Sequence, residues 1–291
     1  MKIRLGFLLI MILTLVCSSS WSQEPPFKQG VNIFIETGVT QPDRIPTWYA
    51  PMVAMPHAPV FEILATKGTR GRYYQRTYAV TIKDIIKWHG HDCEGITHVA
   101  NCCKIAFNIL FPDGIIDRSV LKGISGPGPC WSDGLAFLTG ARLQYGNLGF
   151  FKNKDYNHAV ILYRQDTGVA VLATWKKGIN NIPDEPVVLP GKITWKTKVD
   201  MKKVVDLKRV IKTAKGKPDP YQVDLLRYYQ WQHVNDILSR PLSQSYQAEI
   251  LENFKWEDWI DTTKAVPTPH KRGDIRLKNY PYRERPVFEG K

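Results

Sequence analysis

Trp88-His89-Gly90-His91-Asp92-Cys93-Glu94-Gly95 leads directly into an apolar run from Ile96 to Phe111. The run has a helical stripe, Ile96, Val99, Cys103, Ala106, Phe107 and Leu110, so the polar cluster stands at the mouth of a buried helix. Two imidazoles, a carboxylate and a thiol thus fall between residues 89 and 93. Neutral imidazole and thiolate are preferred ligands of zinc and of softer transition metals. Gly90 and Gly95 supply turn freedom that lets closely spaced side chains converge, and a helix N-terminus favours thiolate at Cys93. A tight polar turn ahead of a core helix would explain His-x-His alone. With Cys93 beside the pair, a metal or reactive-thiol site is the stronger expectation.

Outward from this helix, Thr77 to Trp88 carries helical spacing through Ile82, Ile85 and Ile86. Downstream, Ser119 to Ile124 reads as a short strand. The loop Ser125-Gly126-Pro127-Gly128-Pro129 then delivers Cys130-Trp131-Ser132-Asp133 to the entrance of an apolar helix over Gly134 to Thr139. Cys130 is the natural partner of Cys93, whereas Cys103 and Cys102 read as small buried hydrophobes. His98, one turn past Glu94, can face either the site or solvent. Ala159 to Tyr163 and Val169 to Trp175 form a hairpin, and Lys192 to Val199 is a possible strand. Met201 to Ala214 is a basic helix, Pro218 to Ser239 a longer one, and Gln247 to Trp259 a further amphipathic segment.

Residues 1–22 read as a targeting leader. Lys2 and Arg4 precede an apolar core, Leu5 to Val16, too short to span a bilayer, and Ser20-Trp21-Ser22 offers a small-x-small cleavage site. Cys17 follows Val16 rather than a small residue, so lipidation there is the lesser expectation. The leader holds two of the charges in the formal net of +13, which leaves +11. Lys and Arg are scattered, and with export this excludes nucleic acid as the partner. No later apolar run is long enough for a membrane helix. Four cysteines beyond the leader, Cys93, Cys102, Cys103 and Cys130, are too few for a disulfide scaffold of this size.

Taken as an ordered set, His89-Gly90-His91-Asp92-Cys93-Glu94-Gly95, Cys130-Trp131-Ser132-Asp133-Gly134, Thr139-Gly140 and Gly146-Asn147-Leu148 resemble the core of the FmdE family of formylmethanofuran dehydrogenase subunits. That family reads HGHxCPG, then C-x-x-D-A-I-Q, T-G-C-T and G-N-L. The resemblance implies an α+β core, a helix-flanked antiparallel sheet, with a metal site, commonly zinc. Carried over by position, the candidate ligands are His89, His91, Cys93 and Cys130, with Asp133 and Asp92 as carboxylates that orient them. The family proline is Glu94 here, the cysteine of T-G-C-T is Ala141, and a Gly-Lys pair appears as Asn157-His158.

The expected organisation is a leader (1–22), an irregular N-terminal arm (23–76), the FmdE-like metal-binding core (77–190), a helical extension (191–261) and a basic, Pro-rich tail (262–291). Export implies a periplasmic or secreted protein, and a homodimer is compatible with this organisation. Three functions remain open. One is metal-dependent chemistry on a small molecule. A second is metal delivery, or structural support for a periplasmic molybdenum or tungsten redox enzyme. The third is thiol redox chemistry between Cys93 and Cys130.

Overall fold

A computed structural model of the chain describes residues 55–66, 73–90, 93–176, 187–189, 193–195, 201–213, 222, 226, 229–230, 233–234 and 236–263. The leader, the arm up to residue 54, the tail from residue 264, and His91 and Asp92 lie outside the described residues.

The apolar run after Cys93 forms the central helix α2, Glu94–Leu110, preceded by β1 (Val60–Thr66), β2 (Tyr73–Thr81) and α1 (Ile82–His89). Every residue of the expected stripe of α2 is buried. After α2 come β3 (Ile115–Ile116), β4 (Leu121–Ser125), α3 (Pro129–Thr139), β5 (Leu148–Phe150), β6 (Ala159–Arg164) and β7 (Val169–Trp175). The chain continues through β8 (Val187–Leu189), β9 (Ile193–Trp195), α4 (Met201–Thr213), α5 (Leu242–Ser245), β10 (Tyr246–Ile250) and α6 (Trp256–Trp259). The described residues between 222 and 238 are helical as well.

Five strands make the main sheet in the order β10-β7-β6-β4-β5, antiparallel except where β4 runs parallel to β5. Strand side chains alternate between faces, and here both faces are covered. Val160, Leu162, Val171 and Ala173 point into the core built on α2. Ala159, Ile161, Ala170 and Leu172 point the other way, onto Phe151 and the aromatic residues Tyr156, Phe254, Trp256 and Trp259. A smaller sheet, β2-β1-β3, closes the core from the N-terminal side. Helix α3 lies on α2 so closely that a Cβ at Gly134 would stand 2.3 Å from Val99 Cγ1.

Several expectations are corrected here. Thr77 to Thr81 belongs to β2, and the helix begins only at Ile82, because Thr81 and Asp84 close a capping box that starts it there. The irregular reading of the N-terminal arm, residues 23–76, fails at β1, whose Phe61 and Ile63 are fully buried. The strand expected over Ser119 to Ile124 is Leu121–Ser125, with a 3-10 turn ahead of it. The helix after the Gly/Pro loop starts at Pro129, since proline is preorganised for the first helical position. Gln247 to Trp259 divides into an edge strand and a short helix, because Tyr246 to Ile250 pair with β7. The hairpin of β6 and β7 and the helices α2 and α4 stand as expected.

Candidate metal centre

Three helix ends meet at one point. Helix α1 finishes at His89, where Gly90 turns the chain with φ +89° and donates its N–H to Ile86 O, 2.8 Å away. Only glycine adopts that left-handed conformation at no cost. Cys93 occupies the residue before α2, and Cys130 is the second residue of α3. The donor atoms of His89, Cys93 and Cys130 all lie within 4.8 Å of one another. Gly95 makes the approach possible. A Cβ there would sit 2.7 Å from Cys130 Cβ and 3.6 Å from Cys93 Sγ.

The two sulfurs are 3.2 Å apart as free thiols. Cys93 donates to Cys130, and that hydrogen bond, with His89 beside it, lowers the Cys130 pKa to about 6 against the opposing effect of burial. The same hydrogen bond and burial push Cys93 up, so the two thiols titrate as one coupled pair. Partial positive charge at the N-termini of α2 and α3 favours anionic sulfur at both positions.

His89 is oriented from behind. Its Nδ1 lies 2.8 Å from Asp133 Oδ2, and its side chain is 3% exposed. A carboxylate acceptor places the proton on Nδ1, and the imidazole also hydrogen-bonds Cys130. Asp133 follows Cys130 by three residues, so one face of α3 supplies a thiol and the carboxylate that aims the imidazole.

Two soft thiols and an imidazole at this spacing fit zinc or a similar ion. Two zinc–sulfur bonds of about 2.3 Å at a tetrahedral angle would hold the sulfurs about 3.8 Å apart. Loading therefore asks the pair to spread by only about half an ångström. His89, Cys93 and Cys130 form the single such group among the described residues. His91 and Asp92, also expected here, lie outside them. Because carboxylates behind a metal-binding histidine set its basicity and direction, Asp133→Asn is expected to weaken metal binding by about 10- to 100-fold. Competition with a chromophoric chelator measures it.

The expectation for His98 is corrected. It faces neither solvent nor the thiols: it is buried, its Nδ1 is 2.8 Å from the Tyr246 hydroxyl, and Trp175 stands edge-on at 4.4 Å. Three neighbours of the site were missed in the sequence. Glu94 Oε1 takes an ion pair from Lys208 of α4, and its Oε2 accepts from Gln230. His233 packs 5.6 Å from His98, and burial lowers its pKa to about 4. No spacing rule links Glu94 to residues more than a hundred positions away. The one signal was the departure at Glu94 itself, a charge where the family has proline.

Buried His233 carries a pH consequence. Between about pH 4 and 6.5 the unfolded chain binds a proton that the native chain refuses, so stability is full above about 6.5 and falls as pH drops towards 4. The shift corresponds to about 3 kcal/mol, and buried His98 acts in the same direction. His233→Gln is expected to flatten the dependence of the urea-unfolding free energy between about pH 7 and pH 5.

The family model described as "FmdE, Molybdenum formylmethanofuran dehydrogenase operon" matches residues 88–244, more than half of the chain. The chain belongs to the FmdE family. The FmdE match opens at Trp88, immediately before His89, and runs through Cys93, Cys130, α4 and Gln230. Strands β1 and β2 and most of α1 precede it, so the small sheet is built largely outside the FmdE segment. No curated protein matches the chain. No helix among the described residues is long and apolar enough to cross a membrane.

Proposed function

We propose that this FmdE-family protein holds one transition metal ion, zinc foremost, on His89, Cys93 and Cys130, and uses it on a small molecule. The observation that carries the reading is the convergence of two thiols and an Asp133-oriented imidazole within 4.8 Å. When bound with an open fourth position, such an ion polarises a carbonyl or lowers the pKa of bound water. The chain's own contributions are separate. Asp133 keeps the His89 proton on Nδ1, the helix N-termini stabilise the thiolates, and Glu94 carries Lys208 and Gln230 to the rim. In this reading three donors suffice, the part of His91 is decided by the cobalt test, and the targeting segment read at residues 1–22 would send the site outside the cytoplasm.

Cobalt loading tests the open position. The expected result is a sulfur-to-cobalt charge-transfer band in the wild type and in His91→Ala, and a change in the ligand-field bands when cyanide is added. Bands that ignore cyanide, or that vanish in His91→Ala, would mean a closed four-ligand site. A closed site fits the delivery or supporting role beside a molybdenum or tungsten enzyme instead.

One observation favours a second reading. Sulfurs 3.2 Å apart suit reversible disulfide formation, with a partner disulfide taking up the two electrons and two protons by thiol–disulfide exchange. A metal-free protein that isolates with Cys93 and Cys130 bonded, and whose bond a dithiol reductant reopens, would place the function there.

A further inference from the structure

The cations of the chain are densest between residues 192 and 217. That segment holds nine lysines, Arg209 and two acids, Asp200 and Asp206, a net of +8 within the formal +13. At its centre lies α4, Met201–Thr213. Val204, Leu207 and Ile211 recur there at spacings of three and four and turn inward, Val204 buried and the other two half-buried. The outer face carries the charge. Lys202, Lys208 and Arg209 are exposed, and each stands three or four residues from Val205, itself 60% exposed. Val210 is exposed as well, so two of the six large apolar side chains left in solvent among the described residues lie on this one helix. Asp206 pairs with Lys202 at 2.7 Å and with Arg209 at 2.8 Å, and Lys208 pairs with Glu94. Exposed pairs of this kind add little to stability in water, so an outside anion can take the place of either acid at small cost.

A surface of this charge suits an anionic partner. The leader read at residues 1–22 sets nucleic acid aside, which leaves an acidic protein or an anionic bilayer. Composition separates the two. Protein interfaces are depleted in lysine and enriched in arginine and aromatic residues. Here nine of the ten cations are lysine, and Trp195 is the one aromatic residue of the segment. A run of lysines centred on an amphipathic helix is instead what anionic headgroups attract, because a charged sheet of lipid asks for many cations and no shaped pocket.

We propose that α4, with the lysine-rich chain on either side of it, docks the protein on an anionic lipid bilayer, where headgroup phosphates meet Lys202, Lys208 and Arg209 around Val205. Lys208 also reaches Glu94, the residue after Cys93, so docking brings the rim of the metal centre to the lipid surface. The docking itself goes beyond the metal reading and does not depend on it.

Co-sedimentation of the whole chain with vesicles tests it, using phosphatidylcholine alone and phosphatidylcholine mixed with phosphatidylglycerol. The mixed vesicles are expected to bring the protein down in dilute buffer and to release it in about 0.5 M salt, where charges are screened within a few ångströms. The neutral vesicles are expected to leave it in solution. Lys202→Gln with Arg209→Gln should weaken binding by about 10- to 30-fold, since each cation near an anionic surface contributes about fivefold. Lys152→Gln with Lys154→Gln removes equal charge from exposed positions between β5 and β6 and should leave binding unchanged. Urea unfolding checks that both double variants fold. No binding to either vesicle, equal binding to both, undiminished binding by Lys202→Gln with Arg209→Gln, or equal losses in the two double variants would overturn the docking. A chain that passes over the mixed vesicles but is held by polyglutamate has an acidic protein in place of the lipid, which overturns it too. Metal-free protein serves in this assay as well as loaded protein, so a failure of the metal reading leaves the result standing, and the reverse holds.

Discussion

Cys93→Ala is expected to abolish stoichiometric metal binding, while Cys102→Ala keeps one ion per chain. The two thiols differ in everything but chemistry. Cys93 precedes α2, only half-buried, with its sulfur 3.2 Å from that of Cys130. Cys102 lies two turns along the same helix, fully buried among apolar side chains, with its pKa raised by burial. Removing Cys93 takes one donor from three and cuts affinity by more than the 10- to 100-fold expected for the supporting Asp133. Removing Cys102 deletes one buried sulfur, a cost of about 1 kcal/mol in stability with no effect on the donors. Metal analysis of the two purified variants reads the difference. Equal content in both would break the assignment.

Gly95→Ala is expected to be nearly as severe for the metal, although it alters no donor. The new Cβ would meet Cys130 Cβ at 2.7 Å, and real atoms do not approach so closely. The N-termini of α2 and α3 must separate, and the two sulfurs with them. Gly134→Ala is the matched control. Its Cβ would press on Val99 Cγ1 at 2.3 Å, farther along the same helix pair and against a core side chain. That overpacking should lower unfolding stability by about 1–3 kcal/mol, offset in part by the better helix propensity of alanine. Chelator competition and urea unfolding on both variants separate the effects. Gly95→Ala should lose metal affinity far more than Gly134→Ala, and an affinity unchanged by Gly95→Ala would contradict the geometry.

Local pattern carried much of this architecture. The stripe of α2 and the hairpin from β6 to β7 are periodicities of 3.6 and 2, and each survives into the structure because burial enforces it. Cys93 and Cys130 could be paired in advance because both stand at helix entrances, and the ordered motifs pointed to the family that the match shows. Tertiary context decided the rest. Tyr246 to Ile250 becomes a strand because β7 offers it an unpaired edge, which its own amphipathic pattern does not disclose. Val60 to Thr66 sits in a stretch punctuated by prolines, and its strand character depends on pairing with β2 and β3. His98 was ambiguous because a helix position fixes a face but not what covers it. The cover, Trp175, Tyr246 and His233, comes from three distant elements. Lys208 and Gln230 reach Glu94 across more than a hundred residues, a distance no sequence window spans.

Metal content bears most directly on the central claim. The protein, purified without added metal and without a tag, is analysed by mass spectrometry alongside a count of thiols accessible to alkylation. Near one zinc or similar ion per chain, with Cys93 and Cys130 protected until a chelator is added, is the expected result. A chain without metal, in which Cys93 and Cys130 are joined as a disulfide, would contradict it.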